Sequence, residues 1–349
     1  MVAKFTPPAG LDLSGRKTET GGHTPVMLRE VLEILQPRDG GIYVDGTFGA
    51  GGYTSAILEE ADCRVWAIDR DPSAVAAGQA LVEHYRGRLT LLEGRFGEMA
   101  QLLPKELNSK INGIALDLGV SSMQLDQAER GFSFRQDGPL DMRMDGPHAD
   151  TARSSAAQII MTMSEGDLAD LIFKYGEERQ SRRVAKAIIA ARQEKPITGT
   201  QQLREIIHRV LRKSPGGIDP ATRTFQALRI FVNDELGELE RGLQATDVLL
   251  APGGIIAVVS FHSLEDRIVK TFFKQRSGGE PAPSRHAPHS LSPCRLVGED
   301  SSNAAFTLLF RGAKKPKEEE INTNPRARSA RLRAAMRNDS IAAETGARP

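Results

Sequence analysis

The stretch that most constrains how this chain folds is Ile42–Tyr53, where a short apolar run ends at an acid and a glycine-rich turn follows. A helical pattern begins directly behind the turn, at Thr54. A strand, a glycine turn and a helix in this order form the entry to a nucleotide-binding βαβ unit. Glycine suits such a turn because a bulky side chain would keep the backbone away from a flat or polar ligand. The stretch therefore predicts an α/β fold with a ligand at the turn.

A second apolar run, Arg64–Asp69, also stops at an acid, about 20 residues after the glycines, where a carboxylate can accept hydrogen bonds from both hydroxyls of a ribose. Dinucleotides and S-adenosylmethionine both contain such a ribose. A dinucleotide also needs a helix N-terminus for its pyrophosphate, usually with the spacing G-x-G-x-x-G. The order here, Gly46-x-x-Gly49-x-Gly51-Gly52, differs from it, and Asp45 before the glycines suits a zwitterionic amino-acid moiety better. We therefore favour S-adenosylmethionine over a dinucleotide.

Apolar runs and helical patterns keep alternating beyond Asp69, which predicts a parallel sheet with its ligands at the carboxyl ends of the strands. Residues at or just past such ends include Asp45, Asp69, Phe96 and Asp117. Phe96 either lies flat beside an adenine ring or packs in the core. The further strands are predicted at Leu89–Glu93, Ile111–Asp117, Gly253–Ser260 and, as the last one, Ala305–Phe310.

The alternation stops between about Met123 and Asn233, where the pattern is helical without a convincing strand. We predict helices at Ser164–Tyr175, Gln180–Arg192, Thr200–Leu211 and Pro220–Glu240. These residues form an all-helical insert placed over the carboxyl edge of the sheet. The predicted organisation is a disordered N-terminus (1–22), a methyltransferase core (23–122 and 234–312), a helical insert for substrate recognition (123–233) and a basic C-terminal tail (313–349).

The formal net charge of +1 hides an uneven distribution of basic residues. Those of the insert either bind phosphates or form a solvated face, and their density between Arg179 and Lys195 favours phosphate binding. The basic tail either tracks a phosphate backbone or is solubilising disorder. The basic residues of the insert include Arg179, Arg182, Arg183, Lys186, Arg204, Arg209, Arg212, Lys213, Arg223 and Arg229.

The bulk composition limits the class of protein. A chain of 349 residues is long enough for two domains, and its 40% hydrophobic and 26% charged residues are ordinary for a soluble protein. The two cysteines, Cys63 and Cys294, give neither a metal-binding spacing nor a disulfide framework, which fits a reducing cytoplasm. Met1–Gly22 lacks the apolar centre of a signal peptide, and no apolar run approaches a membrane span. We therefore expect a cytoplasmic protein without a membrane partner.

A series of long motifs, in order from about His23 to Arg333, resembles one known family. The family is that of the bacterial ribosomal RNA small-subunit methyltransferase H, also called MraW. The motifs are His23-Thr-Pro-Val, Asp45-Gly-Thr-Phe-Gly-Ala-Gly-Gly, Ala67-Ile-Asp-Arg-Asp-Pro72, Asp117-Leu-Gly-Val-Ser-Ser-x-Gln-Leu-Asp126, Gly131-Phe-Ser-Phe, Pro139-Leu-Asp-Met-Arg-Met144, Thr224-Phe-Gln-Ala-Leu-Arg-Ile-x-Val-Asn233, Ser260-Phe-His-Ser-Leu-Glu-Asp-Arg267 and Asn324-Pro-Arg-x-Arg-Ser-Ala-x-Leu-Arg333.

The resemblance implies a Rossmann-like S-adenosylmethionine-dependent methyltransferase that methylates N4 of a specific cytidine in the decoding region of 16S rRNA. The implied partner is 16S rRNA in the small ribosomal subunit, and a homodimer is compatible with it. The family often has His where this chain has Tyr53, a change that a backbone contact would survive. The exact nucleotide and the choice between naked RNA and an assembled subunit stay open. The implied cofactor-binding residues are Gly51, Gly52, Tyr53, Asp69, Phe96, Asp117 and Gln124.

Methyl transfer to an exocyclic amine requires a positioned acceptor and a group that takes a proton. Many amine methyltransferases place Asp/Asn/Ser-Pro-Pro-aromatic at the end of strand four, whereas this chain has Asp117-Leu-Gly-Val-Ser-Ser. We predict Asp117 as a catalytic residue, although a cofactor role competes with it. His262, after strand five, either receives a proton or is a hydrogen-bonded structural histidine, and Phe261 offers a stacking face. Nothing in this chemistry requires a metal.

Other residues allow two interpretations each. Phe132 and Phe134 either stack a splayed nucleotide or fix the insert onto the sheet. Asp141 and Arg143 are expected to form a structural charge pair. His23 either reaches the substrate or caps a helix. Competing functions are a small-molecule methyltransferase, an RNA-binding assembly protein with a vestigial cofactor site, and a nicotinamide-dependent oxidoreductase, which the glycine spacing disfavours.

Overall fold

The computed structural model describes residues 25–146, 154–212, 217–278 and 304–339. The predictions for residues 1–22 and for His23 lie outside these ranges, as does Cys294. All statements below concern the described residues.

A mixed sheet of seven strands forms the centre of the molecule, in the spatial order β3-β2-β1-β4-β5-β7-β6. The first five strands are mutually parallel, whereas β7 runs antiparallel to both of its neighbours. The strands are β1 (Ile42–Asp45), β2 (Arg64–Asp69), β3 (Leu89–Glu93), β4 (Ile111–Asp117), β5 (Leu250–Ser260), β6 (Phe306–Leu308) and β7 (Arg331–Arg337).

The strand order reverses between β1 and β4, which pair in parallel with Val44 beside Ile114. The chain connects outward from this point in both directions, toward β2 on one side and β5 on the other. Such a switch point opens a crevice at the carboxyl ends of the two strands, and ligands of open α/β sheets bind there. The fold therefore places a binding site at Asp45 and Asp117.

Helices cover both faces of the sheet, because successive strand residues point to opposite sides. In β4 the side chain of Ala115 faces one apolar cluster, while Ile114 and Leu116 face the other. Pro72 and the Asp71 cap, whose Oδ1 accepts from Ser73 N at 3.0 Å, start the helix after β2. The helices outside the insert are α1 (Leu28–Leu35), α2 (Gly52–Glu60), α3 (Pro72–His84), α4 (Met99–Leu102), α5 (Ser122–Asp126), α11 (Glu235–Leu249), α12 (Ser263–Arg276) and α13 (Glu318–Thr323).

The insert has an apolar core of its own, built from buried residues of its helices such as Ile160, Leu168, Ile188 and Leu203. Ser164 caps α7, with its hydroxyl accepting from Asp167 N at 3.2 Å. The domain limits proposed from the sequence stay predictions. The helices of the insert are α6 (Ala156–Thr162), α7 (Glu165–Gly176), α8 (Ser181–Glu194), α9 (Thr200–Val210) and α10 (Ala221–Asn233).

The single helix predicted at Pro220–Glu240 is wrong, because Asp234 adopts a left-handed conformation (φ 53°) that separates α10 from α11. The buried side chain of Asn233 stabilises the break. Its Nδ2 donates to the carbonyl of Met142 at 2.7 Å, and its Oδ1 accepts from Met144 N at 2.9 Å. A local helical pattern does not reveal such partners, because they lie about 90 residues away in the chain. The cost of closing a loop rises only slowly with its length, so contacts over such a separation are possible.

The prediction of Ala305–Phe310 as the last strand is wrong, because Arg331–Arg337, within the predicted basic tail, forms a further strand, β7. β7 lies between β5 and β6, with Leu332 and Ala335 fully buried. Arg333 forms a two-point ion pair with Asp266 of α12, at 2.7 and 3.0 Å. Arg331 and Arg337 donate to backbone carbonyls instead, while the apolar residues between the arginines fill the core.

Among the helices of the described ranges, none combines the length and apolar character that crossing a lipid bilayer requires.

Candidate active site

The carboxylate of Asp45 ends β1 and is completely buried. Its Oδ1 accepts from the amide of Thr47 at 3.1 Å and its Oδ2 from the hydroxyl of Thr54 at 2.7 Å. Burial raises the pKa of Asp45 to about 6, against the lowering effect of these hydrogen bonds, and the charge of Asp69 raises it further. Asp45 therefore fixes the start of the glycine turn and provides a buried carboxylate next to it.

The glycine turn between β1 and α2 disfavours side chains, by its left-handed backbone at some positions and by close neighbours at others. Gly49 lies in the left-handed region (φ 54°) and donates its amide to Asp69 Oδ2 at 2.7 Å. Gly51, also left-handed (φ 79°), precedes the first residue of α2. A Cβ on Gly52 would overlap the ring of Pro25. The turn thus presents bare backbone at a helix N-terminus, a site for polar and anionic groups.

The side chain of Tyr53 is buried in the core, and its hydroxyl donates to the carbonyl of Val26. Burial raises the pKa of Tyr53 well above its usual value. The tyrosine therefore fixes the segment before α1 onto the glycine turn. The predicted cofactor contact at this position is compatible with the backbone of Tyr53.

Asp69 ends β2 and holds two loops through backbone amides. Its Oδ2 accepts from Gly49 N at 2.7 Å, and its Oδ1 accepts from Asp71 N at 2.8 Å. Burial raises the pKa of this carboxyl. Each carboxylate oxygen has a further lone pair, so Asp69 keeps the capacity to accept from ribose hydroxyls.

Asp117 ends β4, beside Asp45 across the switch point, and its amide donates to the Thr47 hydroxyl at 2.7 Å. Its Oδ1 is buried and has no hydrogen-bond partner in the described part of the chain. Burial raises the pKa of Asp117 well above its usual range, and the charges of Asp45, Glu265 and Glu320 raise it further. An orphaned buried carboxylate oxygen requires an explanation, and a ligand is the simplest one at such a place.

Gln124 and Phe96 are held by protein neighbours. Gln124 donates to Asp71 Oδ2 at 3.0 Å and accepts from Ser121 N at 3.1 Å, so it joins the cap of α3 to the loop after β4. The ring of Phe96 lies against Gly242 of α11, where an added Cβ would approach it to 2.6 Å. The cofactor contacts predicted for these two residues stay predictions beside these structural roles.

His262 caps α12: its Nδ1 accepts from Glu265 N at 3.4 Å. Its Nε2 lies 3.0 Å from Glu265 Oε1 but is not aligned for a hydrogen bond. Glu265 in turn accepts from the amides of Phe261 and His262 at 2.8 and 3.2 Å. The geometry is that of a structural histidine, one of the two interpretations left open by the sequence, and the catalytic role stays a prediction.

A buried charge cluster surrounds this cap. Burial alone would raise the pKa of Glu265, but His262, Arg229 and the Phe261 amide together lower it. Glu235, His262 and Glu265 each place one metal-ligating atom within 4.8 Å of the others. Arg229 binds both oxygens of Glu235, at 2.8 and 2.7 Å, so the cluster is balanced by a protein cation.

An ionic junction that was not predicted from the sequence joins the sheet to the insert. Asp145 pairs with both Arg70, after β2, and Arg95, after β3, and these contacts outweigh its burial and lower its pKa. Arg70 also binds Glu238 of α11 at 2.9 Å and the carbonyl of Asn233 at 3.2 Å. The only signal in the sequence was that both arginines follow strand ends, where polar site residues gather.

The aromatic residues after α5 pack within the insert. Phe132 is buried in its core, and Phe134 meets Phe225 edge-on with the ring centroids 4.8 Å apart. Asp141 and Arg143 form the expected charge pair, with Nη2 2.7 Å from Oδ2. Both phenylalanines thus pack inside the insert and do not fix it onto the sheet, and nucleotide stacking stays a prediction.

The site is thus a crevice at the carboxyl ends of β1, β2 and β4, floored by bare glycine backbone and walled by acids. Every charged group that perturbs Asp117 in the described ranges is itself an acid. Such a crevice fits a nucleoside that carries a positive charge, and it opposes an anionic pyrophosphate. Fold and site together define a Rossmann-like S-adenosylmethionine-dependent methyltransferase.

The family follows from comparison with known proteins. The model of the MraW methylase family matches residues 20–338, and the chain belongs to this family. Proteins named ribosomal RNA small subunit methyltransferase H are similar over most of their length. The one of Paramagnetospirillum magneticum is 57% identical over 93% of this chain and 98% of its own. That of Rhodospirillum rubrum is 56% identical over 91% and 94%, and that of Rhodospirillum centenum 57% over 93% and 94%.

The predicted family, the Rossmann-like fold and the cofactor S-adenosylmethionine are thereby confirmed. The individual site residues were predicted from the resemblance and stay predictions. What the structure adds is their surroundings: three acids at strand ends, one of them with an unsatisfied oxygen.

The tight contact between Gly52 and Pro25 yields a test of the turn. We expect Gly52→Ala to reduce the free energy of unfolding by roughly 1–3 kcal/mol, because the added methyl overpacks the turn and displaces Pro25. Urea denaturation measures the change. Gly166→Ala is the matched control, since Gly166 lies in the first turn of α7 and an added Cβ meets only Ser164 Oγ at 4.0 Å. Equal stability of the two variants would contradict the packing described here.

Proposed function

We propose that the protein methylates N4 of a specific cytidine in the decoding region of 16S rRNA, with S-adenosylmethionine as the donor. Membership of the MraW methylase family supports the reaction class, and the relatives' name supports small-subunit rRNA as the substrate. The observation that carries the chemistry is the buried, unpartnered oxygen of Asp117 at the end of β4.

The residues of the crevice fit the cofactor. When bound, S-adenosylmethionine supplies an electrophilic methyl group on a sulfonium cation. The glycine turn before α2 would hold its amino-acid carboxylate through backbone amides. Asp69 would accept from the ribose hydroxyls. Asp45 and Asp117 would stabilise the positive charge, which in turn favours their ionised forms.

The acceptor needs activation because the lone pair of the cytosine amine is delocalised into the ring. Asp117 Oδ1 is suited to accept a hydrogen bond from this amine, which orients the lone pair toward the methyl group. Methyl transfer, in which a C–N bond forms as the C–S bond breaks, would leave the amine positively charged. Asp117 would then accept its proton, because the raised pKa of this carboxyl favours proton uptake. The Nδ1 of His262 caps a helix, so His262 is a weaker candidate than Asp117 for accepting the proton.

The basic residues of the insert fall into two groups. Some are paired with acids: Arg204 with Asp219, Arg229 with Glu235. A second group, at the start of α8, is exposed and has no ion pair in the described part of the chain. We call it the α8 cationic patch, and it consists of Arg179, Arg182, Arg183 and Lys186.

The α8 cationic patch lies close to the start of α12, which follows the carboxyl end of β5, the strand beside β4. Glu177, two residues before Arg179, accepts from the hydroxyl of Ser263 and from Arg267 Nη2, the latter at 3.0 Å. Ser263 directly follows His262 at the start of α12. RNA phosphates next to a cytidine in the crevice would meet this patch, which supports an RNA substrate over a small molecule.

Mapping of modified nucleotides tests the proposed function. Mass spectrometry of 16S rRNA from cells lacking the protein should show loss of one N4-methyl group in the decoding region. The wild-type gene should restore it, and Asp69→Ala should not, because the ribose contact is removed. Glu83→Ala, on the exposed side of α3, is the control. An intact methyl group in the deletion strain would refute the substrate, and rescue by Asp69→Ala would favour an assembly role.

The acidic crevice predicts how cofactor affinity depends on pH. Ionised carboxylates attract the sulfonium, and Asp45 takes up a proton as the pH falls through about 6. The Kd of S-adenosylmethionine should therefore rise on going from pH 7.5 to 5, by up to about tenfold per pH unit below the pKa. The Kd of S-adenosylhomocysteine, which lacks the sulfonium charge, should change less.

Isothermal titration calorimetry with both ligands measures this difference. Asp45→Asn keeps an oxygen that accepts from Thr47 N, and its side-chain NH2 can donate to the Thr54 hydroxyl, but it cannot ionise. The ratio of its affinities for S-adenosylmethionine and S-adenosylhomocysteine should therefore be smaller than in the wild type and change less with pH. Equal pH profiles of the two ligands in the wild type would contradict the electrostatic account.

The α8 cationic patch predicts the salt dependence of RNA binding. Replacing its four residues by Gln should reduce the slope of log K against log[salt] by about 3, at about 0.7 per phosphate contact of a single strand. The measurement is a salt titration with an RNA hairpin of the decoding region. The control replaces Arg64, Lys105 and Lys110, exposed near the opposite, amino edge of the sheet. A slope that falls equally in both variants would speak against the patch as the docking surface.

A further inference from the structure

The segment Lys317–Ala330 crosses the crevice between β1 and β4. At one end Glu320 Oε1 accepts from Met27 N at 2.6 Å, next to the Val26 carbonyl that binds Tyr53 on the glycine turn. At the other end Arg326 Nη2 donates to Asp126 Oδ1 at 3.0 Å, in the helix that follows β4. The two contacts lie on opposite sides of the switch point, so the segment passes over it.

Buried alanines fix this crossing segment to the core. Ala327 and Ala330 are completely buried, in the same apolar cluster as Val26, Met27 and Tyr53. Since the segment continues into β7, its position is also set by the sheet. It is therefore a wall of the crevice with a defined place.

The carboxylate of Glu320 acts on the crevice. Its charge raises the pKa of Asp117 and also that of Tyr53. Its own pKa is raised by burial and by Glu30, and the Met27 amide lowers it only in part. Its Oε2 has no hydrogen bond or ion pair within the described residues.

A half-buried carboxylate with one satisfied and one open oxygen has room for a cationic donor. In a bound methionine moiety, the carboxylate and the ammonium group share one carbon. When the glycine turn holds the carboxylate, the ammonium lies beside it, and Glu320 is fixed through Met27 to that same turn. We propose that Glu320 binds the ammonium group of the cofactor, and that Lys317–Ala330 is a wall of the cofactor pocket. The proposal rests on S-adenosylmethionine as the donor.

A purely structural role for Glu320, as acceptor for the Met27 amide, is separable from this binding role. Glu320→Gln keeps an oxygen for the amide and removes the charge. We expect it to weaken the binding of S-adenosylmethionine and S-adenosylhomocysteine by roughly ten- to a hundredfold, the usual effect of losing a hydrogen bond between charged groups. The affinity for 5′-methylthioadenosine should stay within about twofold, because this ligand lacks the amino-acid part and has no ammonium group. A twofold change in affinity corresponds to less than about 0.5 kcal/mol.

Calorimetric titration of the full-length protein gives the three dissociation constants. Glu319→Gln removes the same charge from an exposed position of α13 and should leave all three unchanged. Thermal unfolding of Glu320→Gln should match that of the wild type. Equal weakening of all three ligands, or of none, would overturn the role of Glu320. A wild-type protein that binds no adenosyl ligand would instead refute the proposed function on which the inference rests.

Discussion

Uncompensated negative charge at the carboxyl ends of β1, β2 and β4 is the constraint on which the site depends. Asp45 keeps a proton to about pH 6 in the folded protein, whereas an unfolded chain loses it near pH 4. Above both values this difference opposes folding by about 3 kcal/mol. The apolar layers on both faces of the sheet tolerate this cost, and a cationic ligand relieves it. The empty crevice is thus less stable than the filled one, as expected of a binding site arranged before its ligand arrives.

Attachment of the insert follows from the same arrangement of strand ends. Arg70 and Arg95, which follow β2 and β3, both pair with Asp145 near the start of the insert. Asn233, at the end of the insert, forms hydrogen bonds with Met142 and Met144. The two connections between the sheet and the insert are thus held by buried polar contacts, which act only at short range and in one geometry. The insert is therefore held in a defined orientation at the carboxyl ends of β2 and β3.

Much of the sheet was predictable from the sequence, because β1, β2, β3, β4 and most of β5 are apolar runs that stop at an acid or a serine. The acids at their ends were predictable for the same reason. β7 was not predicted because the arginines within it interrupt the apolar pattern that indicates a buried strand. The partners of Gln124, Tyr53 and Asp145 were out of reach, since hydrogen bonds between distant segments leave no periodic trace in one sequence. The family resemblance supplied residue roles that periodicity does not contain.

The position of β7 has a consequence for biosynthesis. A nascent chain folds from its N-terminus as it leaves the ribosome, and of the strands in the described ranges β7 emerges last. Until then the edge of β5 stays open and β6 has no neighbour to pair with, which leaves a sheet edge exposed to other chains. The segment that carries Glu320 emerges just before β7. Closure of the sheet and completion of the crevice wall therefore coincide, and an unfinished chain does not present a complete crevice to an adenosyl ligand.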